Sequence, residues 1–321
     1  MLARGFPNAT IGRCATDPHS SSRTRSKPAH KGQTPQLHTE ETFQPERLPT
    51  PRLRLFVPSS ALRRSFRKPT MPPSWANPIV ARLAAGDLCV DDLCGGVLIC
   101  SWPMPKQVID AYTAFAGRLK AELPAEAYVY PASTLHCTIL TLRAFTAGPL
   151  DAEARQRLVA AWSPVLAAAR ADPAWPTGEF RLRMGAPTLE GAAGIFRYED
   201  TDKAIEKMRT CLHAAILAAG GHPAVGGGDR SKSKPISAFS QPGDPAPHLP
   251  DIVHSTAVRW AGEPADQDEA HAAFKRASAA WEPIDITVQG CRAVLESAPF
   301  MHMPHDDAET AAKHAFWSSD Q

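Results

Sequence analysis

The sequence predicts an α+β fold with two lobes and pseudo-twofold symmetry, in which two small sheets with flanking helices surround a central cleft. From about Gly95 onward, short strands alternate with amphipathic helices, and the order strand, helix, strand, helix, strand occurs twice. Each half contains one strand with a histidine two residues before a threonine. Two matching halves of this kind predict that the two histidine strands face each other across the cleft.

The first half begins with the apolar strand GGVLICSW and continues into a helix. One face of this helix carries Val108, Tyr112, Phe115 and Leu119. The strand STLHCTILTL follows, and the next helix starts near Asp151. The segment FRLRM ends the half with alternating apolar and polar residues, as in a half-buried strand.

The second half repeats this order, beginning with the strand GIFRY. Its first helix has four apolar residues on one face, Ile205, Met208, Leu212 and Ile216. A Gly-, Pro- and Ser-rich loop insert at 220–250 precedes the strand DIVHSTAVRW. The second helix has four more apolar residues at helical spacing, Ala270, Phe274, Ala277 and Trp281. The segment IDITVQGCRAVLES closes the half.

Composition divides the chain into three parts. Residues 1–75 are rich in Arg, Ser, Thr and Pro and have no hydrophobic period, which predicts a disordered basic leader or a transit peptide. Residues 76–300 contain the alternating elements and form the predicted domain, including the loop insert at 220–250. Residues 301–321 are predicted to form an exposed C-terminal tail.

Charge is unevenly distributed along the chain. The first 70 residues contain 13 Lys or Arg and 4 Asp or Glu, whereas the remainder contains 22 basic and 29 acidic residues. An acidic folded part is the opposite of what broad neutralisation of nucleic-acid phosphates requires. An anionic substrate must therefore be held by a local site.

The sequence predicts a soluble, intracellular protein with no membrane partner. No apolar run is long enough to span a bilayer, and the N-terminus lacks the apolar segment of a secretory signal. We expect a monomer in the cytoplasm or nucleus, or alternatively in a chloroplast or mitochondrion if the leader targets it there. The seven cysteines have irregular spacing, which favours reduced thiols over a disulfide framework or a zinc site.

Polar side chains interrupt two otherwise apolar strands at matching positions. Residues two apart on a strand point to the same side, so His136 projects with Thr138, and His254 with Thr256. By the same alternation, Arg259 is predicted to lie on the opposite side of its strand. If the strands face each other, the cleft holds two imidazoles for proton transfer and two hydroxyl donors for a charged oxygen. This set suits phosphoryl chemistry without a metal ion or cofactor.

With HCTI at 136–139 and HSTA at 254–257, the sequence resembles the two-histidine (2H) phosphoesterase superfamily over about 95–300. That family is marked by a pair of H-x-[T/S]-x motifs, one in each lobe of a bilobal α+β fold. Its members hydrolyse or form 2′,5′ and 2′,3′-cyclic phosphodiester bonds in nucleotides and RNA ends. By position, the active residues implied by the resemblance are His136, Thr138, His254 and Thr256.

The resemblance implies a cyclic phosphodiesterase whose substrate is a cyclic nucleotide or an RNA terminus. The two histidines would be catalytic and the two threonines would bind the substrate phosphate. Which histidine acts as base depends on the direction of the reaction, and our starting assignment takes His254 as base and His136 as acid. Family members usually stack the substrate base on an aromatic ring, for which the candidates here are Tyr130, Trp260 and Phe300.

Two other interpretations account for parts of the sequence. In the first, the same cleft is a non-catalytic module that binds a nucleotide or RNA end. An intact pair of histidines favours catalysis, because a pure binding module would tolerate the loss of either. In the second, the segment MHMPHDDAETAAKH binds a metal ion, but its proline breaks the helix such a site would need and its spacing matches no zinc pattern.

Overall fold

The computed structural model of the 321-residue chain describes residues 74–87, 94–227, 230–237, 245–305 and 307–320. Within these ranges the helices are α1 (Pro78–Ala84), α2 (Lys106–Glu122), α3 (Ala152–Arg170), α4 (Ala204–Ala218), α5 (Gln267–Ser278) and α6 (Ala308–Ala312).

The strands, in chain order, are β1 (Gly95–Cys100), β2 (Ala127–Val129), β3 (Cys137–Arg143), β4 (Phe180–Glu190), β5 (Ala193–Asp200), β6 (Ala224–Val225), β7 (His248–Leu249), β8 (His254–Trp260), β9 (Ile284–Val288), β10 (Cys291–Glu296) and β11 (Ala315–Ser318).

These strands form two sheets, which confirms the predicted α+β fold class. One sheet has the strand order β11-β10-β1-β3-β7-β6, and the other has the order β2-β8-β5-β4-β9. Helices α3 and α4 pack on the six-stranded sheet, whereas α2 and α5 pack on the five-stranded sheet. The first histidine motif enters β3 and the second begins β8, so each sheet contributes one motif strand.

Each lobe takes strands from both halves of the sequence. The first half supplies β1 and β3 to the six-stranded sheet and β2 and β4 to the other. The segment IDITVQGCRAVLES forms β9 and β10, which belong to different sheets. Between them, Gly290 has a φ of 79°, and a Cβ atom built there would collide with the Asp320 side chain. A glycine therefore allows the chain to cross between the lobes.

The predicted apolar faces of the helices are buried, as expected. All four predicted residues of α2 are buried, as are all four of α4 and the first three of the last predicted helix. Trp281 lies beyond the end of α5, and its ring centroid is 4.5 Å from that of Phe196 on β5. Phe115 of α2 packs edge-on against both rings. Burial of each such side chain contributes about 1.5 to 3 kcal/mol.

The insert at 220–250 is more ordered than the predicted loop. Strands β6 and β7 pair with each other in parallel, and β7 pairs with β3, so both extend the six-stranded sheet. Ile236 and Leu249 are buried in the core. Each strand is only two residues long, which is too short to give a periodic signal in the sequence. Residues 228, 229 and 238–244 of the insert lie outside the described ranges.

The prediction of an exposed tail at 301–321 is wrong for the residues that the structure describes. Helix α6 begins with a reciprocal capping interaction between Asp307 and Thr310, and β11 pairs with β10 at the edge of the six-stranded sheet. A small second core in this region is formed by Val97, Ile99, Trp102, Val294, Met301, Met303 and Ala311. The segment was missed because its helix and strand are only five and four residues long.

The domain begins slightly earlier than predicted. Trp75 is buried, and its ring centroid lies 4.9 Å from that of Trp260 on β8. Residues 1–73 of the predicted leader lie outside the described part of the chain. In the described part, no helix has the length and apolar character needed to cross a bilayer. The five cysteines described there are free thiols, and all are buried.

Candidate active site

A cleft of about 680 Å³ is lined by residues from both sheets. All four residues singled out from the sequence line it together: His136, Thr138, His254 and Thr256. The two motif strands therefore meet at one cavity, as their pattern predicted. The other lining residues used below are Tyr130, Thr141, Phe145, Asp251, Arg259, Glu296 and Phe300.

The ring of His136 has a fixed orientation. It follows a short 3-10 turn, Ala132–Thr134, and its Nδ1 lies 2.7 Å from the carbonyl oxygen of Thr134. Because a carbonyl only accepts, Nδ1 carries the proton and the neutral ring has its lone pair on Nε2. Burial lowers the pKa of His136 to about 4, even though one edge of the ring meets the cleft. The imidazole is therefore neutral at pH 7.

His254 is the first residue of β8 and lies opposite Arg197 of β5. Burial lowers the pKa of His254, and three nearby guanidinium groups lower it further, in the order Arg259, Arg209 and Arg197. As at His136, the surroundings of the ring disfavour its charged form. A bound anion would reverse this effect, since a nearby negative charge favours the protonated imidazole.

Both motif strands contain a β-bulge directly after the motif threonine. The pairing of β1 with β3 passes over Ile139, and the pairing of β5 with β8 passes over Ala257. An extra residue shifts the alternation of side chains by one position. Thr141 therefore returns to the side of the first motif, and Arg259 to the side of the second.

The prediction that Arg259 faces away from the second motif is consequently wrong. The signal that could have corrected it is a pair of adjacent apolar residues after each motif threonine, Ile139-Leu140 and Ala257-Val258. Such a pair interrupts strict alternation, as a bulge does. The same signal would have placed Thr141, which the sequence reasoning missed.

Arg259 lies against the aromatic part of the cleft. Its guanidinium carbon is 5.1 Å from the centroid of the Phe300 ring, a cation–π arrangement. The guanidinium group also lies beside the buried hydroxyl of Tyr130, where it partly offsets the rise that burial causes in the pKa of Tyr130. Arg259 therefore sits between two aromatic side chains of the cleft wall.

Two of the three aromatic candidates for base stacking line the cleft. Tyr130 and Phe300 do so, whereas Trp260, the last residue of β8, is fully buried away from the cleft and is excluded. Phe300 and Met301 have φ angles of 55° and 61°, in the left-handed region that non-glycine residues rarely adopt. The Glu296 carboxylate accepts a hydrogen bond from the Met301 backbone N–H at 3.1 Å, which holds this turn. Burial raises the pKa of Glu296 to about 7.

A hydroxyl network links the two motifs behind the cleft. Ser255, the variable residue of the second motif, donates through Oγ to the backbone carbonyl of His136. Tyr198 Oη in turn donates to Ser255 Oγ at 3.0 Å. Both side chains are buried. The polar residue between His254 and Thr256 is thereby accounted for as a contact between lobes.

The histidines of the C-terminal segment lie at separate positions. His302 accepts a hydrogen bond from Tyr128 Oη at 3.0 Å, His305 packs on Trp102 with ring centroids 4.6 Å apart, and His314 donates to the Pro304 carbonyl at 2.9 Å. Throughout the described ranges, no three His, Cys, Asp or Glu side chains are grouped as metal ligands would be.

No family model matches the sequence, and no curated protein matches it. Among solved structures, it is similar to TT0787 of Thermus thermophilus, with a TM-score of 0.37 and 15% identity over 62% of this chain and 87% of that one. It is also similar to ATU0111 of Agrobacterium tumefaciens strain C58, a conserved protein of unknown function. There the TM-score is 0.40 and the identity 12% over 73% of this chain and 89% of the other. Similarity at these TM-scores supports no argument about activity.

Proposed function

We propose that this protein is a metal-independent phosphodiesterase that hydrolyses a cyclic phosphate, 2′,3′-cyclic or similar, of a nucleotide or an RNA end. The observation that carries the proposal is that His136, Thr138, His254 and Thr256 line a single cleft although they come from two different sheets. A cyclic phosphodiester needs one proton removed from the attacking water and one delivered to the departing ribose oxygen. Two imidazoles supply both transfers.

The surroundings of the histidines favour His136 as the base. Its ring is neutral at pH 7, and Nε2 carries the lone pair because Nδ1 donates to Thr134. As water attacks phosphorus, its proton passes to Nε2, a P–O bond to water forms, and the P–O bond to one ribose oxygen breaks. This assignment reverses the one we started from.

His254 then acts as the acid. The negative charge of the bound phosphodiester raises the pKa of a nearby imidazole, so His254 takes up a proton when substrate binds. It returns that proton to the ribose oxygen as the P–O bond breaks. Burial and the guanidinium groups, which lower its pKa in the free protein, remain around the ring and favour transfer of that proton to the leaving oxygen.

The remaining polar side chains of the cleft suit the phosphoryl oxygens. Thr138 and Thr256 offer one hydroxyl from each strand, and the bulges bring Thr141 and Arg259 beside them. A guanidinium group can donate two parallel hydrogen bonds to phosphate. Arg259 thus balances the charge that increases on the non-bridging oxygens during attack.

The alternative is a module that binds a nucleotide or RNA end without turnover. Such a module needs donors for phosphate, which the threonines and Arg259 supply. Phosphate binding alone does not require a neutral imidazole whose Nδ1–H donates to Thr134, because such a ring has a lone pair on Nε2 and no N–H there to donate to an anion. The hydrogen bond to Thr134 therefore favours the catalytic interpretation.

The test is incubation of the purified protein with a panel of 2′,3′-cyclic and 1″,2″-cyclic phosphates in the presence of EDTA. We expect hydrolysis of at least one compound and none by a His136→Asn/His254→Asn double variant purified in the same way. Binding of the panel without turnover would support the alternative module. Activity that is lost in EDTA and restored by zinc or manganese would contradict metal independence.

The proposal includes a monomeric protein inside the cell, in the cytoplasm or nucleus, or in an organelle if the leader targets it. Light scattering after size-exclusion chromatography measures the mass in solution, with 34.6 kDa expected. A fluorescent reporter fused to residues 1–75 reports the location, and organellar signal would identify the leader as a transit peptide.

A further inference from the structure

Arg209 of α4 makes three hydrogen bonds to backbone carbonyls next to the two motifs. Its Nη2 donates to Thr138 at 3.0 Å and to Ile252 at 2.9 Å, and its Nε donates to Ile139 at 3.2 Å. Thr138 belongs to the first motif, and Ile252 lies two residues before His254. One guanidinium group therefore joins the backbone of both motif segments.

The bulge in β3 explains how one side chain reaches two successive carbonyls. In a regular strand, successive carbonyls point to opposite edges, so Thr138 and Ile139 could not share a donor. With the extra residue at Ile139, the carbonyls of Thr138 and Ile139 both accept hydrogen bonds from Arg209 of α4. Beyond them, β7 pairs with β3 only at Thr141. Arg209 takes the place of the missing strand neighbour.

The second motif strand has a matching arrangement in the other lobe. Tyr112 of α2 donates through Oη to the carbonyl of Ala257, the bulge residue of β8, at 3.2 Å. The same hydroxyl lies 2.8 Å from the carbonyl of Tyr130, in the segment that leads to His136. In each lobe, a helix side chain thus holds the bulge of one motif strand and the segment leading to the other motif.

We propose that Arg209 is a positioning residue that fixes the spacing between the two motif strands, so that both imidazoles reach one phosphorus atom. The catalytic consequence rests on the proposed function, whereas the spacing itself does not. Arg209 is not among the residues that line the cleft. Its effect is therefore on the alignment of the reacting groups and not on substrate affinity.

The guanidinium charge gives a second, separable effect. Arg209 is one of the groups that lower the pKa of His254, after burial and Arg259. The charged and titratable groups around His254 are Arg259 on β8, Arg209 on α4, Arg197 on β5, Glu190 on β4, Asp251 at the rim of the cleft and His136 before β3. Removing one positive charge from this set raises the pKa of His254, whereas changing the shape of the cation does not.

Two variants separate geometry from charge. Arg209→Lys keeps the charge but cannot reach three carbonyls, and Arg209→Gln removes the charge as well. We expect kcat to fall about 10- to 100-fold in both, as for a misaligned reacting group, with KM changed less than about 3-fold. Titration of the ring resonances by NMR should show the pKa of His254 raised in the Gln variant and unchanged in the Lys variant. Arg183→Gln is the control and should match the wild type, because Arg183 of β4 forms an exposed ion pair with Asp285 of β9.

Crystal structures of the wild type and of Arg209→Lys would measure the spacing between the two motif strands without substrate. The distance between the carbonyl oxygens of Thr138 and Ile252 should increase in the variant. An unchanged distance, or a Lys variant with wild-type kcat, would overturn the proposal even if the Gln variant fails to fold. A wild-type protein that hydrolyses no cyclic phosphate would instead refute the proposed function, and the structural comparison would still decide the role of Arg209.

Discussion

The side chain of Ser255 donates a hydrogen bond to the backbone carbonyl of His136, so the variable residue of the second motif holds the first motif in place. Both motifs thereby share one buried polar network, which continues to Tyr198 of β5. Because the two motif strands lie in different sheets, this contact joins the two lobes beside the cleft. Ser255 is therefore expected to contribute both to the stability of the protein and to its activity.

Replacement of Ser255 by Ala should lower both the stability and the rate. It removes the bond to His136 and leaves the buried hydroxyl of Tyr198 without its acceptor. We expect the free energy of unfolding to fall by about 1 to 3 kcal/mol, the cost of unsatisfied buried groups, and kcat to fall about 10-fold. Urea denaturation and steady-state kinetics measure the two effects.

Ser278→Ala is the matched control for this variant. Ser278 Oγ donates to the Phe274 carbonyl at 2.7 Å, within α5 and away from the motifs. Its loss should change the free energy of unfolding by less than about 0.5 kcal/mol and leave kcat unchanged. Equal effects of the two serine substitutions would show that the bond to His136 has no special role.

Activity should be more sensitive to replacement of the Arg259 guanidinium group by an amine than to the same change at a surface arginine. If it binds the phosphate through two parallel hydrogen bonds, Arg259→Lys keeps the charge and loses the paired geometry. We expect kcat/KM to decrease about 10- to 100-fold for Lys and further for Met. Arg181→Lys, at an exposed ion pair with Asp202, should have no effect. Full activity in the Lys variant would show that the site requires only a positive charge at this position and not paired hydrogen bonds.

The pH profile of kcat/KM should have its maximum below about pH 6.5. In the free protein the base must be deprotonated and the acid protonated, so the profile rises through the pKa of His136 and falls through that of His254. The pKa of His136 is lowered to about 4, and that of His254 is lowered from its ordinary value of 6.5. The maximum of kcat should lie at higher pH, because bound substrate raises both values. A kcat/KM maximum above pH 7 would contradict this assignment.

Elements of the fold were predictable where hydrophobic periodicity extends over many residues. The candidate site was predictable because a short motif occurs twice. Helices α2 and α4 have apolar residues on one face over about four turns, so their burial followed from spacing. The two-residue strand β6 and the four-residue strand β11 have no such period. They form because neighbouring strands offer free edges, and that information belongs to the tertiary structure.

The motif residues were predictable because alternation on a strand places His136 with Thr138 and His254 with Thr256. Alternation failed after the motif threonine on each strand, since one extra residue reverses the side chains that follow it. Arg209 could not be predicted at all. Its role depends on carbonyls that a bulge exposes, and backbone carbonyls have no signature in a sequence.

The folded protein should lose stability in acid through His136. The unfolded chain binds a proton there with a pKa near 6.5, whereas the folded protein does so only near 4. Between these values the unfolded state binds more protons, so the free energy of unfolding decreases as the pH falls, by at most about 3 kcal/mol.

His136→Asn should remove this part of the acid sensitivity, which urea denaturation at pH 4 to 7 measures. The titration of Glu296 occurs in both proteins and cancels in the comparison. His213→Asn, on α4 and outside the cleft, is the control and should follow the wild-type curve. Parallel curves for the wild type and His136→Asn would show that the ring is not desolvated.

The decisive test of the site is whether His136 and His254 act as one unit. Changing either to Ala should lower the rate by about 10² to 10⁴, the range for loss of a positioned acid or base. The fold should persist, because both rings line an open cleft and neither is part of the apolar core. Since hydrolysis needs proton transfer at both ends of the exchanged bond, the double variant should be far less impaired than the product of the single effects. Losses that multiply, or unfolding of either single variant, would mean that the two histidines are independent structural residues.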